Sequence, residues 1–146
     1  MKHALIVILR ISMGWLLFYA GITKVLNSEW TSAGYLAHAQ TFSGIYQWLA
    51  SPEIIIFVDL LNQWGLTLLG LSLLIGAFVR LSAVLGAILM LLYYFPVLHF
   101  PYVGEHSYLV ADHLIYILVL LLLGAVHAGK QWGFDGKFPN IAKQLG

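Results

Sequence analysis

At 146 residues, with 61% hydrophobic and 9% charged residues and a mean hydropathy of +0.89, the chain holds far fewer charges than the roughly one quarter usual in soluble domains, and it reads as an integral membrane protein. The absence of cysteine excludes disulfides, thiol relays, cysteine-held iron–sulfur clusters and thiolate metal sites. A formal net charge of +1 offers nothing to a polyanion, so nucleic acid is not an expected partner.

Spanning the hydrocarbon takes about 20 apolar residues in a helix, and the segments 4–26, 54–77, 79–98 and 108–128 meet that length. The expected fold is all-α, a single membrane domain built as a four-helix bundle. The first segment follows Lys2 as a signal-peptide core would, but its length, Arg10 and the lack of a small-x-small site predict a retained helix. The loop 27–53 is aromatic and poor in charge, with Trp30, Tyr35, Phe42, Tyr46 and Trp48. That composition predicts one or two short helices lying at the interface and roofing the bundle. Ser51, Pro52 and Glu53 read as N-cap, first helical residue and dipole-favoured acid of the second span. Pro96 and Pro101 close the third. Lys2, Arg80, Lys130, Lys137 and Lys143 fall on one side and Lys24 near the other, so both termini, including the tail 129–146, are expected in the cytoplasm of a multi-pass cell-membrane protein.

The charges then acquire depths. Lys24, Asp59, Asp112 and His113 all lie in the outer half, with Asp112 and His113 one turn into the fourth span. Because unpaired charge is costly there, they are expected to face one pocket as the catalytic set, with Lys24 as counter-ion of Asp59 or Asp112. Arg10 reads as a snorkelling or ion-paired structural residue, and Gly14 and Gly21 as close-packing positions on the same seam of the first helix. Comparable seams run through Asp59, Asn62, Leu66 and Gly70, through Ser82, Gly86, Met90 and Tyr93 or Tyr94, and through His113, Tyr116, Leu120 and His127. Trp64, Tyr93, Tyr94 and His99 offer aromatic and polar walls for a bound ring. The histidines show no metal-ligand spacing; His113 and His127 are too far apart to share a metal, and haem is not expected.

Three stretches carry a family resemblance: "RISMGWLLFYAGITKV" followed by "SEW" and "GYL", "WGLTLLGLSLLIGAFVRLSAVLGAILMLLYY", and "LVADHLIYILVLLLLGAVHAGKQWGFD". Together they resemble the DoxX/DoxD family of small four-helix membrane proteins. The resemblance implies a quinone-linked redox subunit, similar to the large subunit of thiosulfate:quinone oxidoreductase, which works with a smaller DoxA partner. Quinone is the implied cofactor or substrate. A DoxA-like or other redox subunit, membrane lipid and a second copy of the chain are the expected partners. Two other classes compete: a non-enzymatic scaffold or lipid-binding subunit, in which the charges only fix helix register, and a small oligomeric transporter.

Overall fold

A computed structural model describes residues 1–96, 98, 101–104 and 107–137. Four long helices dominate: α1 (Lys2–Leu26), α4 (Ile55–Ile75), α5 (Val79–Tyr94) and α6 (Asp112–Ala125), with the short α2 (Ala33–Ala37) and α3 (Ser43–Leu49) between the first two. A small antiparallel hairpin, β1 (Tyr102–Gly104) and β2 (Ser107–Tyr108), precedes α6; a 3₁₀ turn at Ala128–Lys130 and α7 (Phe134–Lys137) follow it. α1 packs chiefly on α4 and α5 on α6; the α4–α5 and α1–α6 contacts join the two pairs.

The α1 face expected from its seam is the buried one: Arg10, Gly14, Leu17 and Gly21, with Val7 and Met13 beside them. It meets Asn62, Leu66, Thr67, Gly70 and Leu73 of α4. The two backbones touch, since a β-carbon on Gly70 would collide with the backbone of Phe18, and one on Gly21 with Thr67. Small residues permit that approach, and the dispersion gained along it holds helices together where no water-driven term operates between them. Leu17, Leu66, Leu73, Leu120 and Leu123 fill the space between the helix pairs.

The opposite faces are apolar and bare. Leu5, Ile8 and Trp15 of α1, Ile56, Phe57 and Leu68 of α4, Ile88 of α5 and Leu118 of α6 are each more than half exposed. An apolar surface of this extent suits contact with lipid. α1 and α4 are long and apolar enough to cross a membrane.

Several boundaries differ from expectation. The third and fourth helices have 16 and 14 residues, about 24 and 21 Å at 1.5 Å per residue, because the chain leaves the helix at Phe95 and Pro96 and re-enters it only at Asp112. Asp112 and His113 therefore open α6 instead of lying a turn inside it. Ser51, Pro52 and Glu53 form a turn before α4, whose N-cap is Ile54 without a side-chain cap. The Ser51 carbonyl, not its hydroxyl, accepts from Ile54 N and Ile55 N at 3.0 and 2.9 Å.

At the end away from α2 and α3, Arg10 is only 2% exposed and does not snorkel. Its guanidinium donates to the carbonyls of Ala128 (3.0 Å) and Gln131 (3.2 Å), beside the charge of Asp135. Asp135 caps α5 from outside, accepting from Phe78 N at 2.7 Å and Val79 N at 3.1 Å. Gly76, at φ 73°, ends α4 in the left-handed conformation that glycine adopts without a β-carbon penalty. Its carbonyl accepts from Asp135 N at 3.0 Å.

The close α1–α4 approach has a direct test. Gly70→Ala should lower stability by about 1–3 kcal/mol through overpacking, read as thermal unfolding in detergent. Gly65→Ala, on the same helix with nothing within 4 Å of the new methyl, should be neutral or gain up to about 1 kcal/mol.

Candidate functional site

The loop 27–53 folds over one end of the bundle through α2 and α3. Tyr35 and Tyr46 donate their hydroxyls to the carbonyls of Tyr93 (2.8 Å) and Leu92 (3.0 Å), and Thr41 donates to Leu98 O at 2.5 Å. Gln40 N donates to Pro96 O at 3.2 Å. The roof thus satisfies carbonyls that the C-terminus of α5 leaves without helical partners, which is why α5 ends where it does without an exposed helix end. Asp59, in the second turn of α4, accepts from Ser32 N (2.8 Å) and Ser32 Oγ (2.6 Å), fixing α2 to the bundle.

Beneath this roof Lys24 reaches inward. Its ammonium donates to Asn62 Oδ1 at 2.9 Å and to the Tyr93 hydroxyl at 2.8 Å, and Tyr93 in turn donates to Asn62 Oδ1. The rings of Trp30 and Tyr93 lie 4.7 and 5.1 Å from Nζ, within cation–π range. Among the described residues neither Asp59 nor Asp112 forms an ion pair with Lys24, so the expected direct counter-ion is replaced by an amide, a phenol and two aromatic faces. Asp59 acts on Lys24 only through its longer-range field.

Tyr93 separates two hollows. On the roof side a cavity of about 70 Å³ is lined by Tyr35, Tyr46, Val58, Leu61, Asn62 and Leu92, among others. On the other side a groove of about 180 Å³ is lined by Leu16, Leu17, Ala20, Lys24, Leu66, Met90, Tyr93, His113 and Tyr116. The His113 ring stacks on Tyr93 at 5.9 Å between centroids and meets Tyr116 edge-on at 6.2 Å. One polar cluster therefore stands at the head of an apolar groove whose walls come from α1, α4, α5 and α6.

The predicted residues part company here. Lys24, Tyr93 and His113 line the groove together. Asp59 lies behind them, turned to Ser32. Asp112 is exposed in the first turn of α6, where the helix dipole favours a carboxylate. Trp64 is 46% exposed on α4 and lines neither hollow. Tyr94 is a tie, donating to Leu109 O at 2.6 Å. His99 lies outside the described residues. His127 is not on the His113 face of α6; it sits past the helix end at φ 49°. Arg10, Gly14 and Gly21 belong to the packing already described. Asn62, Ser32 and Asp135 are the partners that sequence reasoning missed as such. Only Asn62 carried a signal, its place on the α4 seam.

A family model for DoxX matches residues 5–99. The chain belongs to the DoxX family. The match takes in Arg10, Gly14, Gly21, Lys24, Asp59, Asn62 and Tyr93 and stops before α6, so the groove of this DoxX protein combines matched residues with His113 and Tyr116 from beyond the match. No curated protein and no solved structure matches the chain.

The roof has its own titration signature. Burial first, and the neighbouring Tyr46 phenol second, push the pKa of Tyr35 up to about 12, against about 10 for an unfolded tyrosine. The folded value being the higher, the neutral hydroxyl's contribution is fully present below pH about 10 and is lost as pH rises through about 12. Thermal unfolding followed across this window should fall more steeply for the parent protein than for Tyr35→Phe.

Proposed function

We propose that this DoxX-family protein is the quinone-binding membrane subunit of a redox assembly, with α1, α4, α5 and α6 crossing the bilayer and both termini in the cytoplasm. One observation carries the reading: the Lys24 ammonium, the Tyr93 hydroxyl and the His113 ring converge at the head of an apolar groove. A quinone presents two carbonyl acceptors on a flat apolar ring with a greasy tail. Lys24, with one N–H beyond those given to Asn62 and Tyr93, supplies a donor for a carbonyl, and Tyr93, Tyr116 and Met90 supply a wall for the ring. His113 exchanges the proton that quinone chemistry requires. The tail leaves over Leu16 and Ala20 into lipid. The two short helices α5 and α6 are accommodated by local thinning of the bilayer and by snorkelling of flanking residues.

With no cysteine in the chain, electrons enter from a partner. Thiosulfate, through a DoxA-like subunit, is the donor that the DoxD resemblance puts forward, and this chain's share is the quinone end, since among the described residues a dianion would find only Lys24 and His113 beneath the roof.

A scaffold reading is favoured by a different observation. Lys24, Asn62 and Tyr93 satisfy one another and Asp59 is satisfied by Ser32, so these groups hold α1, α2, α4 and α5 together whatever binds.

Titration of the purified protein in lipid nanodiscs with a short-tailed quinone, followed by tryptophan quenching, separates the two readings. His113→Gln should weaken binding about tenfold, or ~1.4 kcal/mol, at unchanged thermal stability. Lys24→Met should lose both binding and stability, and Trp64→Phe neither. Equal binding by all three variants would leave the scaffold. Separately, a reporter fused after Gly146 should read cytoplasmic; an external signal would invert every loop.

A further inference from the structure

We propose that the cleft between α5 and α6, at the end of the bundle away from the roof, is a binding site for an anionic phospholipid. It is independent of the quinone groove. Tyr93 and Arg80 are separated by most of α5, about 20 Å at 1.5 Å per residue.

The cleft has a volume of about 230 Å³ and is lined by Arg80, Val84, Leu121, Gly124, Ala125 and His127. Its floor exists because Gly124 has no side chain: a β-carbon there would stand 3.2 Å from that of Ala83, so α6 lies close on α5 and small Ala125 leaves the space open. After α6 the chain turns at His127 in the left-handed conformation, φ 49°, which sets the imidazole on the same cleft as the guanidinium of Arg80. Both side chains are exposed, and Arg80 also interacts within the chain. Lys130 follows in the next turn. Asp135, the acid packed at this end of α5, is occupied by the N–H groups of Phe78 and Val79. The cleft head is therefore cationic, with hydrogen-bond donors suited to a phosphodiester.

The walls say why the occupant is a lipid and not a free anion. Val84 and Leu121 are each 46% exposed and lie a turn or more deeper than Arg80 and His127. Ile88 and Leu118, 52% and 60% exposed, continue the same faces at helical spacing. An acyl chain descending from a phosphate at Arg80 and His127 meets an apolar track about 12 Å long on α5 alone. Arg80 opens α5 and His127 follows α6 at the same end, so a bilayer thinned to match these short helices brings its headgroups to both.

The test uses the full chain in detergent, with native mass spectrometry counting retained lipid and thermal unfolding as a second readout. Phosphatidylglycerol should be retained about fivefold better than phosphatidylcholine, and sn-glycerol 3-phosphate should not substitute for it. Arg80→Gln and His127→Asn, asparagine being chosen because it tolerates the left-handed backbone, should each remove most of that preference. Ala125→Leu, which fills the cleft and leaves Arg80 and His127 in place, should remove retention of either lipid at this site. Equal retention of the two lipids by the parent protein overturns the proposal. So does an unchanged preference in His127→Asn and Ala125→Leu, which decide the matter if Arg80→Gln fails to fold, or full stabilisation by glycerol phosphate alone.

Discussion

Two cations lie on the packed face of α1, Arg10 buried and Lys24 half-buried, and the bundle is arranged around that fact. Arg10 and Lys24 are fourteen positions apart, which at 100° per residue returns them to nearly the same face. That face is also the glycine seam pressed against α4. A charge carried into apolar surroundings costs several kcal/mol unless it finds partners. Each cation meets the requirement differently. Arg10 takes the carbonyls of Ala128 and Gln131, which the end of α6 and its 3₁₀ turn leave exposed. Lys24 takes Asn62, Tyr93 and the face of Trp30. The first set ties the N-terminal half of α1 to the chain after α6; the second ties its C-terminal half to α4, α5 and the roof.

The same economy explains the roof. A helix that ends inside a membrane protein leaves carbonyls unsatisfied, and α5 ends early. Tyr35, Tyr46 and Thr41 come over from the first loop to donate to the carbonyls of Tyr93, Leu92 and Leu98, while Asp59 holds the loop down at Ser32. Stability and site are thus built from the same atoms: Tyr93 receives a roof contact on its carbonyl, binds Lys24 and Asn62 through its hydroxyl, and presents its ring to His113. Replacing a residue so shared cannot separate folding from function. His113, which lines the groove without a role in that network, and Trp64, which faces away, are the informative contrasts.

The two ends of the molecule differ in kind. At the roofed end the polar groups are turned inward and mutually satisfied, at the head of a groove suited to a flat, apolar molecule with acceptor oxygens. At the other end Arg10 and Asp135 are consumed in joining α1 and α5 to the chain after α6, while Arg80, His127 and Lys130 are exposed. This distribution is the one on which both proposals rest, a quinone at the roofed end and an anionic lipid at the other.

Much of this was legible from residues alone. Apolar length and scarce charge specified helices in lipid, and the alternating spacing of Arg10, Gly14, Leu17, Gly21 and Lys24 specified which face of α1 is buried, because helical periodicity depends only on local geometry. The aromatic, charge-poor loop likewise announced an interfacial roof. What periodicity cannot supply is which polar group a given charge meets. Opposite charges made Asp59 and Asp112 the natural partners of Lys24, yet the α1–α4 approach brings Asn62 within reach first, and the roof draws Asp59 to Ser32. Asp112 stands at the exposed start of α6 because the end of the hairpin and the non-helical residues after it occupy 108–111, the first turn assigned to the fourth span. Pairing, helix ends and the shape of the groove depend on distances between elements, and only the tertiary structure decides those.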